Sequence, residues 1–394
     1  MRSDDRPAGL PFRVRDHFPY AKQAAYLNSA AIGLVPSPVR GQVEVLLRDI
    51  ANRGTSAYLE AAPQFSEAPR EAGARLFNAE PGDIALVTSA SEVMNQIALS
   101  LRPGRGANIV TVDTEVPAVT FPWIRLAEDT GLEVRIVDTS ADRSELTIER
   151  IAELVDDDTA VIAVSLVEWV TGHRFDLTAL ADLAHAHGAI AAVDCYQAAG
   201  VVPLDVTASR IDLAVAGSFK WLCGFSTAAV CYLHPALSER IRPALAGSVT
   251  SAPKPPYDHI DGTVLDYAAG ARRLEYGSGS TLARFSLGLS IDYLLDIGIE
   301  HISEHVAMLT DRLAGGVDRL GGRVITPRDR KQRGGILSVE IPGRDSVAVH
   351  TELERAGVIC SPRMGLIRFS PHLFTAIADI DQALNALESI MSAP

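Results

Sequence analysis

The sequence predicts an α/β fold: a mainly parallel, seven-stranded sheet in a large domain, followed by a smaller α+β domain. Three observations predict it. Between about residues 80 and 235, short apolar runs alternate with helix-like stretches. Those runs are apolar along their whole length rather than at every second residue, as strands covered on both faces are. From about residue 283 the order changes to a long helical stretch, then short strands interleaved with helices.

Taken in order, the strand-like runs are 84–87 (IALV), 108–112 (NIVTV), 133–138 (EVRIVD), 160–165 (AVIAVS), 189–194 (AIAAVD), 211–216 (IDLAVA) and 228–232 (AAVCY). They are rich in Val, Ile and Ala and are bounded by polar or glycine-containing turns. SEVMNQIALSL, PWIRLAEDTG, TIERIAELV and DLTALADLAHAHG separate several of them and carry helical spacing of apolar residues. The helical stretch 283–319 is followed by the strand GILSVEIP, the helix VAVHTELERAG, the short strands VIC and LIRFS, and the last helix IADIDQALNALESIM. The Pro-, Gly-, Ser- and Tyr-rich stretch 248–280 reads as a loop. The division expected is a large domain over 20–285 and a small one over 286–394, joined by the N-terminal segment 1–19.

Composition narrows the function. The chain has 394 residues, 47% hydrophobic and 22% charged, the balance of a folded globular protein. A formal net charge of -13 disfavours nucleic acid and anionic membrane as partners. No apolar run reaches the roughly 20 residues that span a bilayer, and MRSDDRPAGLPFRVRDHF has no apolar signal segment, so a cytoplasmic location is expected. The four cysteines, Cys195, Cys223, Cys231 and Cys360, form no C-x-x-C pair and read as reduced, buried thiols rather than disulfides or a zinc site. No metal site is expected. His185 and His187 are two apart on a helix and do not share a face.

Lysine usage is the most informative count. The chain has four lysines, Lys22, Lys220, Lys254 and Lys331, against 32 arginines. Only lysine readily gives up its proton to become a nucleophile. Lys220 follows an apolar strand in DLAVAGSFKWLCG, among Phe219, Trp221 and Leu222, where desolvation would lower its pKa; the alternative is a lysine that snorkels to the surface. Asp194 ends the run AIAAVD, either at the crevice outside the carboxyl ends of the strands or as a helix N-cap. LVTSASEVMNQIA reads as strand, small-residue turn and helix, with Ser89 and Ser91 at a helix N-terminus that could cradle a phosphate or be an ordinary capped helix. It is neither G-x-G-x-x-G nor G-x-x-x-x-G-K-[ST], which removes support for a nucleotide-binding Rossmann-type protein. Arg368, inside GLIRFSP, could grip a carboxylate or lie on an edge strand.

The ordered trio VDCYQAAG, GSFKWL and LEYGSGS, followed by IRFSPH and DID, resembles the class V aminotransferase family over nearly the whole chain, from YLNSAAIGLVP to the last helix. These are fold-type I enzymes that use pyridoxal 5'-phosphate (PLP), including cysteine desulfurases, selenocysteine lyases, kynureninases and isopenicillin-N-epimerase-like proteins. The resemblance implies the PLP-dependent transferase fold type I. It implies that Lys220 is the Schiff-base lysine and that Asp194 pairs with the pyridinium nitrogen, keeping the ring an electron sink. It also implies that Gln197 bonds the ring hydroxyl, that Ala90, Ser91 and Ser218 contact the phosphate, and that Ser278 reaches the phosphate from the neighbouring subunit of a homodimer with shared active sites. Arg368, with Asn28, is implied in binding the substrate carboxylate.

The chain departs from the desulfurase pattern. In TEVPAVTFPW the position that carries a histidine over the ring in desulfurases is Val116; Trp169, in EWVTG, replaces an asparagine; and Phe219 precedes the lysine where many relatives have histidine. Only SPRMG separates Cys360 from LIRFS, so no long loop carries a nucleophilic cysteine. The expected activity is therefore a C–S lyase type reaction at Cα and Cβ of an L-α-amino acid, a cysteine S-conjugate or similar β-substituted substrate, in bacterial secondary metabolism such as antibiotic biosynthesis. The alternatives are decarboxylation-dependent oxidative deamination of an S-substituted cysteine, epimerisation or transamination, and, from a different class, a PLP-fold protein without catalysis.

Overall fold

A computed structural model describes residues 14–143, 146–251 and 263–392. Lys254 and most of the segment 1–19 lie outside the described residues. The chain opens with the short strand β1 (Ala25–Tyr26) and three helices, α1 (Ser37–Arg53), α2 (Thr55–Phe65) and α3 (Glu67–Phe77). Strands and helices then alternate: β2 (Ile84–Val87), α4 (Ala90–Leu101), β3 (Asn108–Val112), α5 (Pro117–Thr130), β4 (Glu133–Val137), α6 (Ile148–Ala152), β5 (Thr159–Ser165), α7 (Leu177–Ala186), β6 (Ile190–Asp194), β7 (Leu213–Gly217), β8 (Ala229–Leu233) and α8 (Pro235–Arg240). All seven apolar runs become strands of one sheet in the order β2-β8-β7-β6-β5-β3-β4. Only β8 runs against its neighbours. The mainly parallel, seven-stranded sheet expected from the sequence is thus present. Its two faces feed separate apolar cores, one under α7 and α9, the other under α4 and α5.

The stretch 283–319 is not one helix. It divides into α9 (Thr281–Ile297) and α10 (Ile299–Arg319) at Gly298, whose φ of 93° lies in a region that favours glycine. Strands β9 (Arg323–Val324) and β10 (Leu337–Glu340), helix α11 (Ser346–Arg355), strands β11 (Val358–Ile359), β12 (Ser361–Arg363) and β13 (Leu366–Phe369), and helix α12 (Ile377–Ser392) complete the chain. A four-stranded antiparallel sheet, β12-β13-β10-β9, packs against α10 and α12 over a third core. The N-terminal segment belongs to this side of the molecule: β1 pairs in parallel with β11, Asn28 bridges to Ser370, and Arg15 bonds Asp379.

Two short connections aim the site. After β7 the chain turns through Ser218–Gly224 into β8, held by hydrogen bonds from Gly33 N to Phe219 O (2.8 Å), Cys223 N to Lys220 O (3.1 Å) and Gly224 N to Ser218 O (2.7 Å). A Cβ at Gly33 would collide with the Lys220 carbonyl, so this close approach requires glycine. The β12–β13 hairpin turns through Met364 and Gly365, both at positive φ, as a two-residue hairpin loop demands. Its register pairs Arg363 with Leu366 and leaves Arg368 two residues further on, so both arginines project from one face.

Candidate active site

The carboxyl ends of the parallel strands supply most of the site. Asp194 is the last residue of β6, buried, with one carboxylate oxygen accepting the Tyr196 N–H at 2.7 Å. Burial raises its pKa to about 6, against the opposing pull of that N–H and of Lys220. Lys220 stands half-buried in the turn after β7, with its Nζ 5.5 Å from the Tyr196 ring centroid and 5.9 Å from that of Phe219. Desolvation is the main cause of a pKa lowered to about 8; Asp194 opposes it, and Arg368 and Arg363 add to it. Of the two readings of this lysine, the structure therefore favours the desolvated amine.

Gln197 lies under the same turn. Its Nε2 donates to Ala30 O at 3.0 Å and its Oε1 accepts from Trp221 Nε1 at 2.8 Å. His372 is sealed beneath it: Nδ1 accepts the Leu373 N–H, Nε2 donates to the Trp221 carbonyl, and burial lowers its pKa to about 4. It is a neutral structural group.

The turn after β2 forms the other end of the site. Ser89 caps α4, its Oγ accepting the Glu92 N–H, and the Glu92 carboxylate in turn accepts from the N–H and Oγ1 of Thr88, the residue before the cap. Ala90 is buried and Ser91 is exposed in the first turn. Ser218 is buried, and its hydroxyl donates to the Phe225 carbonyl. Ser278 is exposed, in the segment between the 3-10 turn Gly270–Leu274 and α9. Val116, half-buried, caps α5 ahead of Pro117 and packs on the same core as Phe219.

A cluster of positive charge faces these residues. Trp169 is fixed by its Nε1 donating to Thr114 O at 2.6 Å. The Arg368 guanidinium bonds the Trp169 carbonyl at 2.8 Å and lies 6.0 Å from its ring, while Arg363 lies 5.9 Å from the same ring. Arg368 is buried in β13, its Nε has no partner, and burial together with Arg363 lowers its pKa to about 9. The surface-edge alternative for Arg368 is thereby excluded. Asn28 accepts the Ser361 hydroxyl at 2.6 Å, next to the β12–β13 hairpin.

Three residues of this site escaped the sequence reading. Arg363 sits in a three-residue strand that begins Ser-Pro and gives no strand signal. Tyr196 carries no signal of its own within VDCYQAAG. Glu115 is a buried carboxyl whose oxygens accept Ser165 N at 2.5 Å and Ser165 Oγ at 2.6 Å, and Ser165 is the register partner of Asp194. Burial, with Glu168 and Asp194 nearby, pushes Glu115 up to about 8, so it is largely neutral at pH 7. Its carboxyl also accepts the Val116 N–H at 3.3 Å.

The donor set suits an anionic, flat cofactor. A capped helix N-terminus can receive a phosphate, a buried carboxylate at the strand ends can face a ring nitrogen, and a desolvated amine lies near that carboxylate.

A family model described as aminotransferase class-V matches residues 25–381. A probable cysteine desulfurase of Methanothermobacter thermautotrophicus is 29% identical over 413 residues, covering 99% of this chain and 98% of the relative. Isopenicillin N epimerase of Streptomyces clavuligerus is 27% identical, covering 92% and 94%. Among solved structures, the complex of the cystine C-S lyase C-DES with its reaction product cysteine persulfide superimposes with a TM-score of 0.85 at 20% identity, covering 94% of this chain and 99% of that one.

Proposed function

The chain belongs to the class-V aminotransferase family of PLP-dependent enzymes, and on that premise we propose that it breaks the Cβ–S bond of a cysteine S-conjugate or a similar β-substituted L-α-amino acid. The bound cofactor supplies an electron sink for charge developing at Cα. In this reading Asp194 holds the ring nitrogen, Gln197 the ring hydroxyl, Ala90, Ser91 and Ser218 surround the phosphate, and Val116 and Trp169 flank the ring. In this reading the large domain carries these residues and the small one brings Arg368 to the substrate α-carboxylate, with Asn28 beside it; the boundary expected at 285/286 falls inside α9, which packs on the large-sheet core. The exposed Ser278 completes the phosphate site of a second copy in a homodimer.

The observation that carries the reading is the set of bases and nucleophiles left at the site. Lys220, with its lowered pKa, is the general base near Cα: it takes the Cα proton, the Cα–H electron pair forms the Cα–Cβ double bond, and the sulfur departs with the Cβ–S pair as thiolate, which the protonated lysine can return to thiol. Val116 and Phe219 cannot carry protons, and His372 is committed to backbone groups. All four cysteines are buried, and burial raises each thiol pKa, that of Cys360 to about 12. Cys360 faces the core beside His350, 3.8 Å away. A thiolate able to accept sulfur, as a desulfurase requires, is missing from this set.

The test is product analysis of the PLP-loaded enzyme with a panel of S-substituted cysteines, with and without oxygen. Thiol, pyruvate and ammonia in equal amounts are expected. Carbon dioxide with an aldehyde would replace this reading by decarboxylation with oxidative deamination. A protein that forms no visible, borohydride-sensitive cofactor band would be no PLP enzyme at all.

A further inference from the structure

Tyr196 joins the two ends of the site. Its backbone N–H is held by Asp194, and its ring lies flat against Gly217, where any Cβ would collide with it. Phe219 packs edge-on at 6.0 Å between centroids. From this wedge the hydroxyl faces the first turn of α4, with the Ala90 N–H nearby. The residue is only 9% exposed.

Apart from the exposed Ser91, the other hydroxyls around this turn already have acceptors or cap the helix. Thr88 donates to Glu92, Ser89 caps α4, and Ser218 donates to the Phe225 carbonyl. Among the described residues no group accepts the Tyr196 proton. A phenolic O–H with no protein acceptor is free to donate to an anion at the α4 N-terminus. Burial and the Asp194 carboxylate hold the phenol well above its ordinary pKa, so it remains a donor across the working pH range.

We propose that Tyr196 is a ligand of the cofactor phosphate, its hydroxyl donating to a phosphate oxygen beside the Ala90 N–H. The proposal rests on the PLP reading above and adds to it a phosphate contact from the turn that follows Asp194. The same residue packs on Phe219 and lies 5.5 Å from the Lys220 amine, measured to its ring centroid.

Tyr196→Phe removes only the hydroxyl. The test compares wild type and variant for retention of PLP and of pyridoxal, which lacks the phosphate, by following loss of the lysine-linked absorbance on dilution into a trap. PLP affinity should fall about tenfold in the variant, the size expected for one hydrogen bond to a charged group, while pyridoxal affinity stays the same. Equal losses for both would make Tyr196 a packing residue and overturn the proposal. Tighter PLP binding by the variant would show a hydroxyl that blocks the cradle, and unchanged PLP binding would remove it from the site. Wild type that binds no PLP would instead sink the functional reading. A second readout needs no loss of the hydroxyl: 3-fluorotyrosine placed at position 196 should shift its fluorine resonance when inorganic phosphate is added to the cofactor-free protein. An unmoved resonance would contradict the contact.

Discussion

The two sheets hold their functional charges in different ways. The seven-stranded sheet presents Asp194 and Lys220 at or just beyond the carboxyl ends of β6 and β7, where parallel topology leaves a crevice whatever the loop sequence. The four-stranded sheet carries Arg363 and Arg368 within its strands, and their joint placement depends on the register set by the Met364–Gly365 turn. The first kind of site is fixed by strand order and tolerates a changed neighbour. The second is fixed by pairing, and a one-residue slip between β12 and β13 would put the two guanidiniums on opposite faces.

The comparison gives predictions of decreasing size. Lys220→Ala should abolish turnover, a loss of at least about 10²–10⁴-fold, with PLP still held through the phosphate and Asp194. Steady-state assay beside an absorbance scan checks both halves; normal activity would remove the lysine from the chemistry. On the other sheet, Arg368→Leu should lower affinity for α-carboxylate substrates by about tenfold or more and leave the cofactor spectrum unchanged. Equal affinities of wild type for an amino acid and its decarboxylated amine would contradict the assignment.

A pH experiment sharpens the description of the first sheet. Burial holds the Glu115 carboxyl at a pKa of about 8 against an ordinary value of 4.5, so between those values the folded state binds the extra proton. Its contribution to stability is intact below about pH 4.5 and is lost as pH rises through about 8. Glu115→Gln keeps an acceptor for the Ser165 N–H and cannot ionise. The difference in melting temperature, variant minus wild type, should therefore grow as pH rises from 5 to 8 in the cofactor-free proteins. A difference independent of pH would mean that Glu115 is ionised throughout.

The same contrast explains what could be read from the sequence. All seven strands of the large sheet, the turn into α4, Asp194 and Lys220 were legible, because continuous apolar runs and a lysine in apolar company are local signals. β1 is two residues long and exists only through its pairing with β11, more than 300 positions away, so no local pattern announces it. Arg363 was missed for the same reason. Its strand is short, contains Pro362, and acquires meaning from the partner that sets its face. The break at Gly298 had a local signal, a glycine between two isoleucines, but the helical period continues on both sides and hides it.

The central claim is that Lys220 removes the Cα proton while Arg368 retains the carboxylate. L-Alanine has both groups and no β-leaving group, so it isolates that step. Holding the PLP-loaded enzyme with L-alanine in deuterium oxide and following the Cα proton by NMR tests it directly. The account predicts exchange of that proton with solvent, no release of carbon dioxide, and loss of exchange in Lys220→Ala. Release of carbon dioxide without exchange, or exchange that persists in Lys220→Ala, would contradict it.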